Sequence, residues 1–285
     1  MRFAITASDR YLGVFESLVN AGWQPVKLFT TVIDNKIHHS KAVIEYAQRL
    51  AIDVQFSRLR ESDLRELSQR GCDMLVIASY DWRIDDWHPY LKYAINFHPS
   101  PLPEGRGPYP VVQALLENRK YWGVTCHKVS REFDAGEILD KEEFPISDDE
   151  CHESLDLKTQ MTAKRLAERV AVNFTSLWDN AKPQGIGSYS RHWTNEDRTI
   201  DFSDGVNDIL RRVRAFGLIE FMAKVNEVAI FIRRAVGWVE HHAHRPGALV
   251  HVNDHTMVVA ARDGYIGIIE WSLHDPRATV GKIGR

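Results

Sequence analysis

INFHPSPLPEGRGPYP, residues Ile95 to Pro110, decides how the rest of the chain is read. The apolar run ending in Ala94-Ile95 predicts a buried strand, with Asn96-Phe97-His98 at its C-terminal end. Five prolines and two glycines lie in the stretch, so beyond the strand the chain must form a stiff loop rather than helix or sheet. Asn96 and His98 are two apart, and on an extended backbone their side chains share one face. An amide beside an imidazole at a strand's carboxyl edge suits the stabilisation of charge on a carbonyl oxygen.

Upstream, Arg2 to Ala7 reads as a strand and Tyr11 to Asn20 as a helix with Leu12, Phe15, Leu18 and Val19 on one face. Val26 to Thr30, Val54 to Phe56 and Met74 to Ser79 are further strands, separated by helices at Ser40 to Leu50 and Ser62 to Arg70. Strands alternating with helices predict an α/β fold, a doubly wound, mostly parallel sheet. Thr6-Ala7-Ser8-Asp9 stands after the first strand, where a dinucleotide site would place GxGxxG, so that reading is rejected. In such sheets ligands gather outside the carboxyl ends of the strands, where Ser79 and Asn96 to His98 fall.

Downstream, Pro110 opens a helix to about Glu117, and Gly123 to Val129 is a strand. Arg131 to Gly136 is the loop that carries Asp134. Asp148-Asp149-Glu150 reads as capping a long helix from Leu155 to Trp178, with Val170, Phe174 and Leu177 facing the sheet. Pro183 to Ser190, PQGIGSYS, is the linker candidate. After it come a helix bearing Val206, Ile209, Leu210 and Val213, then short strands at Val228 to Ile232, Ala248 to Val252, Thr256 to Ala260 and Ile266 to Trp271. Asn253-Asp254 and Asp263-Gly264 are hairpin turns. The division is therefore 1–183 as the catalytic domain, 184–200 as linker and 201–285 as a small C-terminal β-rich, barrel-like domain.

Composition adds exclusions. A formal net charge of −3 advertises no nucleic-acid or anionic-membrane partner. The three cysteines are odd in number and lack metal-site spacing; Cys126 and Cys72 read as buried hydrophobes. With no signal peptide and no long apolar span, the expectation is a cytoplasmic protein without a membrane.

Asn-x-His-x-Ser, Leu-Pro and Arg-Gly, then the strand from Gly123 and Asp134-Ala135-Gly136, together resemble the folate-dependent formyltransferases. Ser100-Pro101-Leu102-Pro103 departs from the family's usual Ser-Leu-Leu-Pro and stiffens the substrate edge. The resemblance implies formyl transfer from 10-formyltetrahydrofolate to a primary amine, with Asn96, His98 and Asp134 catalytic and no metal. Asn96 and His98, the latter as imidazolium, would donate to the oxyanion. Asp134 would hold the charge on His98 and take the amine's proton. Ser79, Tyr80, Asp81, Trp82, Arg83 and Ile84 occupy the place of the folate pocket, where a flat pterin needs apolar faces and backbone partners. Ser100, Pro101 and Gly107 fall at the acceptor edge.

The acceptor is less constrained. Thr31 to Lys41 holds Lys36, His38, His39 and Lys41 without the glycine of the tRNA-contacting insertion in methionyl-tRNA formyltransferases. Arg211, Arg212, Arg214, Arg233, Arg234 and Arg245 are nearly balanced by acids. A tRNA binder needs several phosphate contacts. The reading therefore favours a small amine, such as a nucleotide-linked amino sugar, with initiator methionyl-tRNA as the alternative. A formyltetrahydrofolate hydrolase uses the same trio on water. A non-catalytic folate-binding module would leave that trio idle. The run His241-His242-Ala243-His244 raises a metal hydrolase, but neighbouring histidines point apart on a strand and a turn follows. The C-terminal segment is open to three roles: holding the acceptor, joining a homodimer, or bracing the catalytic part.

Overall fold

The computed structural model describes residues 1–31, 39–80 and 82–273. Strands β1 (Arg2–Ala7), β2 (Gln24–Phe29), β3 (Asp53–Gln55), β4 (Met74–Ala78), β5 (Tyr93–His98), β6 (Tyr121–Lys128) and β7 (Ile138–Pro145) form one sheet in the order β3-β2-β1-β4-β5-β6-β7. The first five run parallel, and β6 and β7 are antiparallel additions. β1 and β4 are buried on both faces, as near-continuous apolar runs require at the centre of a parallel sheet.

Helices α1 (Leu12–Asn20), α2 (Lys41–Arg49) and α3 (Glu61–Gln69) follow the first three strands. Pro110–Leu116 forms α4, and His152–Asp179 forms the long α5. Phe15 and Leu18 of α1, Val43 and Ala47 of α2, and Leu166 and Val170 of α5 share one core with Ile5 and Val76 of the sheet. Leu64 and Leu67 of α3 build a second core on the opposite face with Ala4 and Leu75. Each large apolar side chain so buried contributes about 1.5–3 kcal/mol. α5 bends at Asn173, whose φ/ψ of −111°/16° leaves the helical region. Among the described residues no helix is long and apolar enough to cross a membrane.

Helix α6 (Val206–Phe216) precedes β8 (Phe221–Val225), β9 (Val228–Val239), β10 (Leu249–Val252), β11 (Met257–Ala260) and β12 (Gly264–Ser272). These strands form a separate antiparallel sheet in the order β10-β11-β12-β9-β8. Among the described residues no pairing closes β8 on β10, so the sheet is open. The Asp263 carboxylate in the β11–β12 turn accepts the Val206 N–H at 2.9 Å and so starts α6. The core between α6 and this sheet also takes in Val111 and Val112 of α4, which ties the two sheets together.

The structure adds to the sequence reading and changes one point of it. β7 was not anticipated, because half of ILDKEEFP is charged; its Asp140 and Glu142 are instead held by Arg169 and Arg165 of α5. Asp148-Asp149-Glu150 does not cap α5. Asp148 pairs with Lys120 at 2.5 Å and Glu150 with Lys158, while the Cys151 N–H meets Ser154 Oγ at the helix start. The stretch from 184, read as a linker, makes contacts at both ends. It forms a bridge to the catalytic half at Arg106–Tyr189, and Thr199 bridges Met222 of β8.

Candidate active site

β5 ends at the sheet's carboxyl rim, and its antiparallel register with β6 sets Asn96 opposite His127 and His98 opposite Thr125. The turn after β6 brings Asp134 back over this pair. Gly136 permits that return, since a Cβ there would lie 1.8 Å from the Lys128 carbonyl. Asp134 itself has φ +54°, a left-handed conformation that aspartate enters more readily than most residues and that the surroundings fix here. The Gln184 amide provides that hold, donating to the carbonyls of Asp134 at 2.8 Å and Gly136 at 2.7 Å. Its oxygen in turn accepts from Arg106 at 2.8 and 3.0 Å.

The side chains converge. Asp134 Oδ1 accepts from Asn96 Nδ2 at 3.2 Å and lies 3.4 Å from His98 Nδ1 and 3.6 Å from His127 Nε2. Its Oδ2 accepts the Gly107 N–H at 2.9 Å. His98 Nε2 donates to the Gly105 carbonyl at 2.9 Å, which assigns that nitrogen the proton. His127 Nδ1 donates to the Lys128 carbonyl at 2.8 Å, leaving Nε2 to accept from Asn96 Nδ2 at 3.1 Å. His127 was missed in the sequence. Its only signal was a polar residue two beyond Thr125 on a strand otherwise apolar.

The charge state differs from the sequence reading. Burial lowers the His98 pKa below its ordinary value, against the raising influence of Asp134 and the Gly105 hydrogen bond. His98 is therefore neutral near pH 7, with a lone pair on Nδ1, and not the expected imidazolium. Burial pushes Asp134 up, but the histidines beside it and the Gly107 N–H outweigh that and hold it well below the usual carboxylate range. Asp134 is an anion at any ordinary pH.

These groups sit in a cavity of about 1590 Å³ that Ser79, Tyr80, Trp82, Arg83 and Ile84 also line. Asp81 lies outside the described residues, as do Lys36 and His38. Ser79 has φ +83°, which turns the chain sharply off β4. Tyr80 Oη accepts the Leu59 N–H at 2.7 Å, and its ring meets Trp82 edge to face at 5.2 Å. Gly107 lines the cavity. Ser100 and Pro101 do not. Ser100 is wholly buried and its carbonyl accepts from Thr125 Oγ1 at 2.8 Å, so it anchors the proline-rich loop to β6. The sequence missed residues 189–192, which wall the other side of the cavity.

In the second sheet's loops, His242 Nε2 bonds the Gly264 carbonyl at 3.0 Å and its ring packs on Tyr265. Among the described residues no three potential ligands gather to hold a metal ion.

The formyl transferase profile matches residues 34–170, and the profile for the C-terminal domain of formyl transferase matches 193–280. The methionyl-tRNA formyltransferase of Sulfurimonas denitrificans is 27% identical over 223 residues, spanning 75% of this chain and 70% of that one. That of Treponema denticola is 36% identical over 124 residues, 43% of this chain and 38% of its own. The N-formyltransferase of Helicobacter canadensis, solved with folinic acid and dTDP-3-aminofucose, superposes with a TM-score of 0.67 at 17% identity over 95% of this chain and 99% of its own. HypX of Aquifex aeolicus with tetrahydrofolic acid gives 0.66 at 19% identity over 94% of this chain, which spans 43% of HypX. At such identities the structural likeness is one of fold. With both profiles matched and the mixed sheet and its antiparallel companion in place, the chain belongs to the formyltransferase superfamily.

Proposed function

We propose that the protein transfers the formyl group of 10-formyltetrahydrofolate to a primary amine on a small acceptor, a nucleotide-linked amino sugar being the favoured type. One observation carries this reading: His98 and the Asn96 amide both lie within 3.4 Å of the Asp134 carboxylate, and all three line a single large cavity. Tyr80 and Trp82 supply the flat apolar wall that a pterin needs. On this reading residues 1–183 carry the chemistry and 201–285 brace it.

The amine attacks the formyl carbon, forming a C–N bond while the carbonyl electron pair moves to oxygen. Asn96 Nδ2, held by Asp134 and His127 in the free protein, turns one N–H to that oxygen, and one such donor is worth roughly 100- to 1000-fold in rate. His98 Nδ1 accepts the proton released by the attacking nitrogen. The resulting imidazolium is stabilised by Asp134, whose low basicity suits it to hold charge better than to take a proton. As the carbonyl re-forms, the bond to the folate nitrogen breaks and His98 returns the proton there. Protons and charge balance over the cycle.

The small acceptor is supported by the neutralisation of the candidate tRNA-binding arginines. Arg212 pairs with Asp204 at 3.0 Å, Arg234 with Glu270 at 3.0 Å, and Arg211 with Asp208. Methionyl-tRNA is retained as a second reading because the curated relatives named above act on it. Incubation with formyl-labelled donor and a panel of dTDP- and UDP-linked amino sugars, methionyl-tRNA, or no acceptor tests the proposal. Label in a sugar amide supports it. Label in tRNA moves the acceptor to the second reading. Formate release at the same rate without any amine makes the protein a hydrolase.

A further inference from the structure

The transfer steps give Tyr189 no task, yet its ring stands beside the reacting groups. Gly107 donates its N–H to Asp134 Oδ2 at 2.9 Å, and the Tyr189 ring lies against that same glycine. A Cβ at 107 would come within 2.8 Å of Tyr189 Cε1 and 3.0 Å of Cδ1. Tyr189 Oη donates to the Phe133 carbonyl at 3.4 Å, one residue before Asp134. Ring and carboxylate thus share Gly107 as a neighbour. Burial, with the Asp134 charge adding to it, raises the phenol above its ordinary pKa, so the ring is neutral near pH 7.

Despite these contacts Tyr189 is 60% exposed, and it lines the cavity. Its backbone is nonetheless fixed: residue 189 bridges Arg106, and the Ser190 N–H donates to the Arg106 carbonyl at 2.7 Å. An aromatic ring left in water on a fixed backbone is preorganised apolar surface, which sacrifices little freedom when a ligand covers it. Tyr189 also stands apart from the folate wall. Arg83 of that wall donates to the Arg131 carbonyl at 3.3 Å, whereas Tyr189 meets the same loop at Phe133, on the Gly107 side. With the pterin against Tyr80 and Trp82, the nucleophile must come from elsewhere in the cavity, since donor and acceptor cannot share one surface.

A ring so close to Asp134 can touch only what adjoins the attacking nitrogen. In a nucleotide-linked amino sugar that part is the pyranose; base and phosphates lie farther along the acceptor. A pyranose has an apolar face of C–H groups that matches a flat aromatic ring, and dispersion sums over the many atom pairs of such a contact.

We propose that Tyr189 binds the acceptor, its ring carrying the C–H face of the amino sugar while the amine reaches His98. This rests on the formyl-transfer reading above. Steady-state formylation of dTDP- and UDP-linked amino deoxyhexoses, titrated in both substrates, tests it in wild type, Tyr189→Ala and Tyr189→Phe, alongside inhibition by dTDP or UDP alone. Tyr189→Ala should raise the acceptor KM about tenfold. Its kcat, its KM for 10-formyltetrahydrofolate and its nucleotide inhibition constant should change little, the pattern of lost ground-state binding. Tyr189→Phe keeps the ring and loses only the Phe133 hydrogen bond, so it should stay close to wild type. An unchanged acceptor KM in Tyr189→Ala, or a Phe variant as impaired as Ala, overturns the assignment and leaves formyl transfer standing. A lower kcat with both KM values unchanged overturns it too, because the ring would then only steady the Asp134 turn. So does an inhibition constant that rises in step with the acceptor KM, which would put the base on the ring. A wild type that formylates methionyl-tRNA and no sugar overturns the sugar assignment alone; one that formylates neither removes the underlying reading as well.

Discussion

The imidazole of His98 presents its unprotonated Nδ1 to the carboxylate of Asp134 at 3.4 Å, while its other nitrogen is committed to the Gly105 carbonyl. The pair is therefore poised to receive a proton, with the anion already in place to stabilise it. Asp134→Asn keeps the shape and the Gly107 contact but removes the charge. Turnover should fall about 100- to 10,000-fold, while circular dichroism and gel filtration remain those of the wild type.

The pH profile follows from the direction of the His98 shift. Its pKa in the folded protein lies below the ordinary value, so kcat/KM should be level above about pH 6.5 and fall only on the acid side. Stability follows the same sign. Below about pH 6.5 the unfolded chain binds protons that buried His98 and His152 do not, so stability rises with pH through that window and is lost as pH falls. A series of thermal melts from pH 8 to 5 should show this, and a melting temperature that climbs on acidification would contradict it.

His127 acts through Asn96, with its Nε2 also 3.6 Å from Asp134 Oδ1, and touches no substrate in the proposed reaction. Its Nε2 accepts one amide hydrogen and so fixes which end of Asn96 faces the cavity. His127→Phe should lower kcat about 10- to 100-fold by letting the amide turn, with a small effect on the folate KM. His127→Gln, whose oxygen can accept the same hydrogen, should recover most of that loss.

Gln184 lies in the segment that composition marks as linker, yet it makes two hydrogen bonds to the backbone of the Asp134 turn. Gln184→Ala should destabilise the protein by about 1–3 kcal/mol, read from urea unfolding, and should reduce kcat as well. An inert tether would show neither effect.

The fold was legible where hydrophobic pattern and element coincide. β1, β4 and β5 announce themselves as apolar runs, Asn96 and His98 share a strand face before a proline-rich loop, and Asp134 was singled out through the family resemblance. β7 was not legible, because its partners are charges on α5 that lie more than twenty residues away. The charge on His98 was misjudged for a related reason. A carboxylate neighbour can be guessed from a motif, whereas the burial that outweighs it depends on the whole cavity. Gln184 and Ser190 were hidden by their own composition, since glycine, proline and serine mark flexible chain as readily as they mark tight packing. Gly107 shows the difference: its φ is +86° and a Cβ would lie 2.6 Å from the Ser190 carbonyl.

The strand-like clasp of Arg106 with residues 188 to 190, closed by hydrogen bonds of 3.1 and 2.7 Å, bears on how members of this superfamily can be recombined. A chimera spliced at residue 183 would inherit its Asp134 turn from one parent and the amide that grips it from another. The safer seam lies past His192, so that whichever catalytic half is grafted carries its own wall with it.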